Sequence, residues 1–163
     1  KTFDVSFLAS WYNIDRPGYN LRQQVWARKD EIEMPTNFYT STKCFSDSPN
    51  PLPGGEKESL FDSQYHICIE NQSVGHYFTE KLIDAFLTET IPVYWGCPNI
   101  EDYFDVDGMI LFQTFDELKD KLNDLTPSYY ESILNIVHKN KQKAIEFANY
   151  DQRIFNFIKN SEV

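Results

Sequence analysis

Cysteine is scarce in this chain, and the little there is excludes cross-linking. The three cysteines, Cys44, Cys68 and Cys97, are odd in number and far apart, with no C-x-x-C pair. That arrangement argues against a disulfide framework and against a zinc site, and it suits a reducing, cytoplasmic setting. Basic charge is short as well: 15 Lys and Arg stand against 25 Asp and Glu, for a net charge of −10 at pH 7. A nucleic-acid-binding face needs a basic stripe, and adsorption to anionic lipid needs a basic patch, so neither partner is expected. Phosphates on any ligand must then be met locally, by a few cations and backbone N–H groups. Long apolar runs are also missing. None approaches the ~20 residues that span a bilayer, so no transmembrane segment is expected, and the location is read as cytoplasmic or membrane-peripheral. The start, Lys1-Thr2-Phe3-Asp4-Val5, lacks both a methionine and the apolar stretch of a signal peptide, and suggests a processed or cut piece. Internal repeats and low-complexity tracts are absent.

What remains is a chain of 163 residues, 41% hydrophobic and 16% aromatic, enough apolar mass for one domain with one core. Residues 3–9 alternate loosely and read as a strand. Pro17 precedes a helical stretch over 19–32, with Leu21, Val25 and Trp26 on one side. Residues 34–58 are rich in Pro, Ser, Asn and Gly and read as an irregular connection, with a short edge strand at 37–41. After one or two helical turns at 57–63, the pattern sharpens into a compact strand, Tyr65-His66-Ile67-Cys68-Ile69. A helix follows over 77–87, then strands at 91–95 and 109–112. Helices at 114–125, 127–147 and 151–160 close the chain. Strands alternating with helices predict an α/β fold, a Rossmann-like doubly wound parallel sheet. Ligands of such sheets bind outside the carboxyl ends of the strands, which directs attention to residues 70–81 and 95–100.

The segment from Ile69 to Lys81 runs from a strand end through a loop into a helix start. Unpaired N–H groups and a positive partial charge at a helix N-terminus suit phosphate, and Lys81 adds a mobile cation. If the helix starts at Tyr77, then Tyr77, Glu80 and Lys81 share a polar face, while Phe78 and Leu82 face the core. His66 reads as a core or edge histidine, His76 as a loop residue able to touch ligand or cap the helix, and His138 as a surface group. Cys97 has no neighbouring base to activate it.

The ordered blocks Ile69-Glu70-Asn71, Gly75, Tyr77-Phe78-Thr79-Glu80-Lys81-Leu82 and Ile91-Pro92-Val93-Tyr94-Trp95-Gly96 resemble the donor-site signature of family 10 glycosyltransferases, the α1,3/4-fucosyltransferases that use GDP-fucose. Met109-Ile110, Phe115, Leu118 and Tyr129 or Tyr130 follow in matching order, so the resemblance covers about residues 60–135. It implies the donor-binding half of a two-half GT-B enzyme, transferring a sugar from a GDP-sugar, the nucleotide-sugar donor, to a glycan acceptor hydroxyl with inversion. On this resemblance Arg22 and Lys81 meet the donor phosphates, with Arg16 and Arg28 as competitors for the first role. Asn71 and Glu80 hold the ribose and its surroundings, Tyr77 lies beside the phosphates and sugar, and Thr79 belongs to the same donor-binding set. No metal or other cofactor is implied: the acidic run of Glu101, Asp102, Asp105 and Asp107 reads as a solvated loop, not as the aspartate pair with which other glycosyltransferases hold a divalent ion. Residues 1–163 then form one donor domain. The acceptor-binding half that supplies the family's carboxylate base is expected to have been removed, to be supplied by a partner subunit, or to be lacking in a natural reduced form, so that the isolated chain binds donor but transfers poorly or not at all. A non-catalytic nucleotide-sugar-binding module, or a GT-B enzyme with a UDP-linked donor, are the rival readings. A receiver-type signalling domain would need an acidic pocket at a strand end that these strands lack.

Overall fold

In the computed structural model, which describes residues 1–10, 15–41, 50–149 and 159, five strands form a single parallel sheet. They are β1 (Thr2–Ala9), β2 (Thr36–Thr40), β3 (Ser63–Ile69), β4 (Ile91–Trp95) and β5 (Ile110–Leu111), in the order β2-β1-β3-β4-β5. The main helices are α1 (Pro17–Ala27), α2 (Glu80–Leu87), α3 (Phe115–Asn123) and α4 (Tyr129–Ala148). The segment at 37–41 is an edge strand as expected, whereas the strand expected over 109–112 pairs only at Ile110 and Leu111. The helix expected over 151–160 lies outside the described residues, apart from Lys159.

The sheet is buried from both sides, which is why β3 and β4 are apolar almost throughout. On one face Val5, Phe7, Ile67, Ile69 and Val93 pack against Leu21 and Val25 of α1 and Leu118 and Leu122 of α3. On the other, Cys68 and Tyr94 pack with Leu82 and Phe86 of α2, Phe104 and Ala144 of α4. The chain leaves β1 through α1 toward β2 and leaves β3 through α2 toward β4. Crossovers of one hand running in opposite directions must use opposite faces, so the carboxyl ends of β1 and β3 diverge. This is the switch point of a doubly wound sheet.

Two buried polar groups shape the ends of this layer structure. Asn140, fully buried within α4, accepts from the Asp105 N–H at 2.9 Å and donates to the Asp105 carbonyl at 2.8 Å, tying α4 to the turn before β5. At the other end, α1 opens with Pro17 at its first position, where no N–H is needed. The next N–H, of Gly18, donates to the Asn71 carbonyl at 3.2 Å. A Cβ at Gly18 would stand 1.8 Å from the Glu70 carbonyl oxygen, so only glycine lets α1 come this close to the end of β3. Gly18→Ala is therefore expected to cost about 1–3 kcal/mol or more by overpacking against backbone that cannot yield. Urea or thermal unfolding checks it, and a wild-type midpoint would contradict the close approach.

Candidate donor site at the switch point

A cleft of about 300 Å³ opens at the switch point, with Ser10, Tyr19, Arg22, Asn71, Glu80 and Lys81 among its walls. Arg22 reaches it from α1. It is only 3% exposed, because Leu21 and Val25 on either side draw that face of α1 onto the sheet. Its guanidinium donates through Nε to the Ile69 carbonyl at 3.1 Å, through Nη1 to the Ser10 carbonyl at 3.0 Å and through Nη2 to Asn71 Oδ1 at 2.9 Å, and it lies over the Tyr19 ring. Of the two competitors, Arg28 is committed on the surface to Glu31 and Asp116 at 2.7 and 2.8 Å, and Arg16 is exposed outside the cleft walls. The structure thus brings Arg22, Asn71, Glu80 and Lys81 together.

Tyr77 and Thr79 sit differently from expectation. Helix α2 begins at Glu80, not at Tyr77, so the shared face of Tyr77, Glu80 and Lys81 is not formed. Tyr77 lies half-buried in the loop of residues 71–79, where its N–H donates to the Val74 carbonyl at 3.2 Å. The helix cannot start earlier because Thr79 takes the cap: its backbone is extended, its hydroxyl accepts from the Lys81 N–H, and its own N–H donates to a Glu70 carboxylate oxygen at 2.7 Å. Phe78 faces apolar neighbours as expected, but from the loop, against Tyr103, Phe104 and Phe147. The loop is pinned from the far side. His76 adopts a left-handed φ of 63°, its N–H donates to Asn99 Oδ1 at 2.9 Å, and its Nδ1 is 2.6 Å from the Tyr103 hydroxyl.

Charge in the cleft is arranged around Lys81, whose ammonium lies 3.1 Å from Glu80 Oε1, 3.7 Å from Glu70 Oε2 and 3.0 Å from the Thr79 hydroxyl. Burial works to raise the Glu80 carboxyl, but the charge and hydrogen bond of Lys81 outweigh it and hold Glu80 below the usual carboxylate range. An ionised Glu80 accepts only, which suits a ligand offering hydroxyls. Burial raises the Asp84 carboxyl, one turn further along α2. His66 lines the inner end of the cleft and is the core histidine expected. Burial, helped by Lys57, pushes it down to about 3, so the imidazole is neutral, with Nδ1 2.7 Å from the Ser6 hydroxyl.

The residue missed from the sequence is Glu70. It is fully buried and holds both the N–H and the hydroxyl of Thr79. The signal was there: an acidic residue directly after the apolar strand 65–69 must find partners if it is buried. The Asp105-Val106-Asp107 string is a turn, with Asp105 Oδ1 accepting from the Asp107 N–H at 3.1 Å. Among the described residues no group of three His, Cys, Asp or Glu is placed to hold a metal ion, and no helix is long and apolar enough to cross a membrane.

Fold and site together define a doubly wound α/β domain whose cleft at the switch point is lined by Arg22 and Lys81 among its cations. Comparison with known proteins narrows the class. The model of the glycosyltransferase family 10 (fucosyltransferase) C-terminal domain matches residues 18–153, and the chain belongs to that family. It is 29% identical over 107 residues to the α-(1,3)-fucosyltransferase FucT of Helicobacter pylori, covering 64% of this chain and 22% of that protein. Crystal structures of an α1,3-fucosyltransferase superpose with TM-scores of 0.63 for one, 0.63 for one with GDP-fucose and 0.62 for one with GDP, at 27%, 27% and 26% identity. Each covers 86% of this chain, which spans 38%, 40% and 39% of theirs.

The cap predicts a measurable asymmetry within the first turn of α2. Thr79→Ala removes the helix cap and a hydroxyl bonded to a buried carboxylate, and is expected to cost about 1–2 kcal/mol in thermal unfolding. Glu80→Gln, on a side chain 58% exposed, should stay within about 0.5 kcal/mol of the parent. Equal effects would contradict the cap.

Proposed function

We propose that this chain is the donor-binding half of a fucosyltransferase, that it binds a GDP-sugar, GDP-fucose in the first instance, and that the reaction it serves is transfer of the sugar to a glycan hydroxyl with inversion. One observation carries the reading: Arg22 and Lys81 converge from different helices on one cleft at the switch point, in a chain of family 10. Cations fixed where the diphosphate leaves can stabilise the charge that grows on it as the glycosyl bond breaks. Lys81 supplies an ammonium held beside Thr79 and Glu80, and Arg22 a charge locked into the strand ends. Glu80, ionised beside Lys81, accepts from vicinal ribose hydroxyls, and Asn71 borders the same space. Tyr77, in the loop that joins Asn71 to α2, takes the role beside the sugar that the family resemblance gives it, and Thr79 serves the donor indirectly by capping α2. No metal is required in this reading, because the two cations meet the diphosphate. Water replacing the acceptor would release GDP slowly by the same leaving-group stabilisation.

The donor assignment is tested by thermal shift with GDP, GDP-fucose, UDP and ADP, since ligand binding to the native state raises the melting temperature by mass action. Selective stabilisation by the guanosine compounds is expected, and equal shifts with UDP and ADP would sink it. Lys81→Ala should weaken GDP in calorimetry by about 10–100-fold, the worth of a charge-assisted hydrogen bond of about 1.5–3 kcal/mol. It should also lower the melting temperature, because Glu70 keeps its burial and loses its cation. Excess EDTA is expected to change GDP affinity no more than a few-fold, and a collapse there would show that a divalent ion takes part.

A further inference from the structure

We propose that Glu70 is a positioning residue for the donor site: through Thr79 it holds the ammonium of Lys81 at the mouth of the cleft, ready for the diphosphate. This rests on the donor-binding reading above.

Glu70 is an unusual group to bury. It is a carboxylate with no exposure at the end of β3, and burying a charge is costly unless it is paired and hydrogen-bonded. The site answers on every side. Oε1 accepts the Thr79 N–H at 2.7 Å, Oε2 accepts the Thr79 hydroxyl at 2.8 Å, and the Lys81 ammonium stands 3.7 Å from Oε2. The carboxylate has no room to move. Its backbone N–H is tied to the Trp95 carbonyl at 2.9 Å, and a Cβ at Gly96 would lie 2.6 Å from Glu70 Cγ. The Thr79 hydroxyl, held by Glu70, in turn accepts from Lys81 Nζ at 3.0 Å. A rigid strand end therefore sets the direction of a long side chain in the first turn of α2.

The consequence for binding is entropic. A free lysine loses rotamer freedom when fixed. Fixing it before the ligand arrives removes that cost from the binding step. A carboxylate near a phosphate also repels it, so charge alone predicts that neutralising Glu70 tightens GDP. Positioning predicts the opposite sign.

The test is a double-mutant cycle on this chain, with GDP affinity read by calorimetry and unliganded stability by thermal unfolding. In the parent, Lys81→Ala should cost about tenfold or more. In the Glu70→Gln background it should cost less than about threefold, because coupled residues are not additive, and Glu70→Gln by itself should weaken GDP. Additive losses, or tighter GDP binding by Glu70→Gln, overturn the proposal even if the melting temperature falls, since a purely structural role lowers stability and leaves the effect of Lys81 intact. Should Glu70→Gln fail to fold, Thr79→Val cuts the same chain of contacts from its other end and is judged by the same two outcomes. If Lys81→Ala leaves GDP affinity unchanged in the parent, the donor-binding reading falls and this inference with it.

Discussion

Arg22 donates to the Ile69 carbonyl at the end of β3 and to the Ser10 carbonyl just past β1. That bridge holds shut a gap which the topology forces open. Crossovers that leave β1 and β3 in opposite directions pull the chain apart where two adjacent strands stop, and Arg22 donates to carbonyls on both sides of that gap. A buried carbonyl without a donor costs as much as a lost hydrogen bond, and a planar guanidinium, with donors in a fixed fork, answers several at once. The same charge then lies at the floor of the cleft. One side chain closes the fold and lends the site its polarity.

Around this bridge the loops are built by polar groups that cannot be moved singly. Gly18 lets α1 touch the end of β3, Glu70 fills the space beside Gly96, and Thr79 converts that buried carboxylate into the start of α2. The far side of the 71–79 loop hangs on Asn99, which accepts from the His76 N–H and donates to Asp102 at 2.6 Å. Partly satisfied networks of this kind are worse than apolar packing, so each contact is supported by the next. The cleft inherits that rigidity from the scaffold, since most of its walls are strand and helix.

Much of the site was legible because short-range chemistry carried it. The alternation of strands and helices, the edge position of residues 37–41 and the core placement of His66 all followed from pattern and composition. Membership of family 10 followed from the ordered blocks between Ile69 and Gly96. The start of α2 was misplaced because Phe78 continues the helical spacing of Leu82, Ala85 and Phe86, and spacing alone does not register a cap. Thr79 wins that position through a carboxylate nine residues earlier, a contact no local pattern contains. Asn140 escaped notice in the same way: a polar residue in a charged helix reads as solvated until its partner, 35 residues away at Asp105, is seen.

The sequence by itself determined the class of fold, the family and Lys81 as a candidate cation at the start of α2, since these depend on periodicity, composition and residue order. Only the tertiary structure decided which arginine reaches the cleft, where α2 begins and what Glu70 is for. Those questions turn on which groups lose water together when the sheet closes. Burial of a polar group is a property of its surroundings, and its partners are chosen by the crossing of chains far apart in sequence.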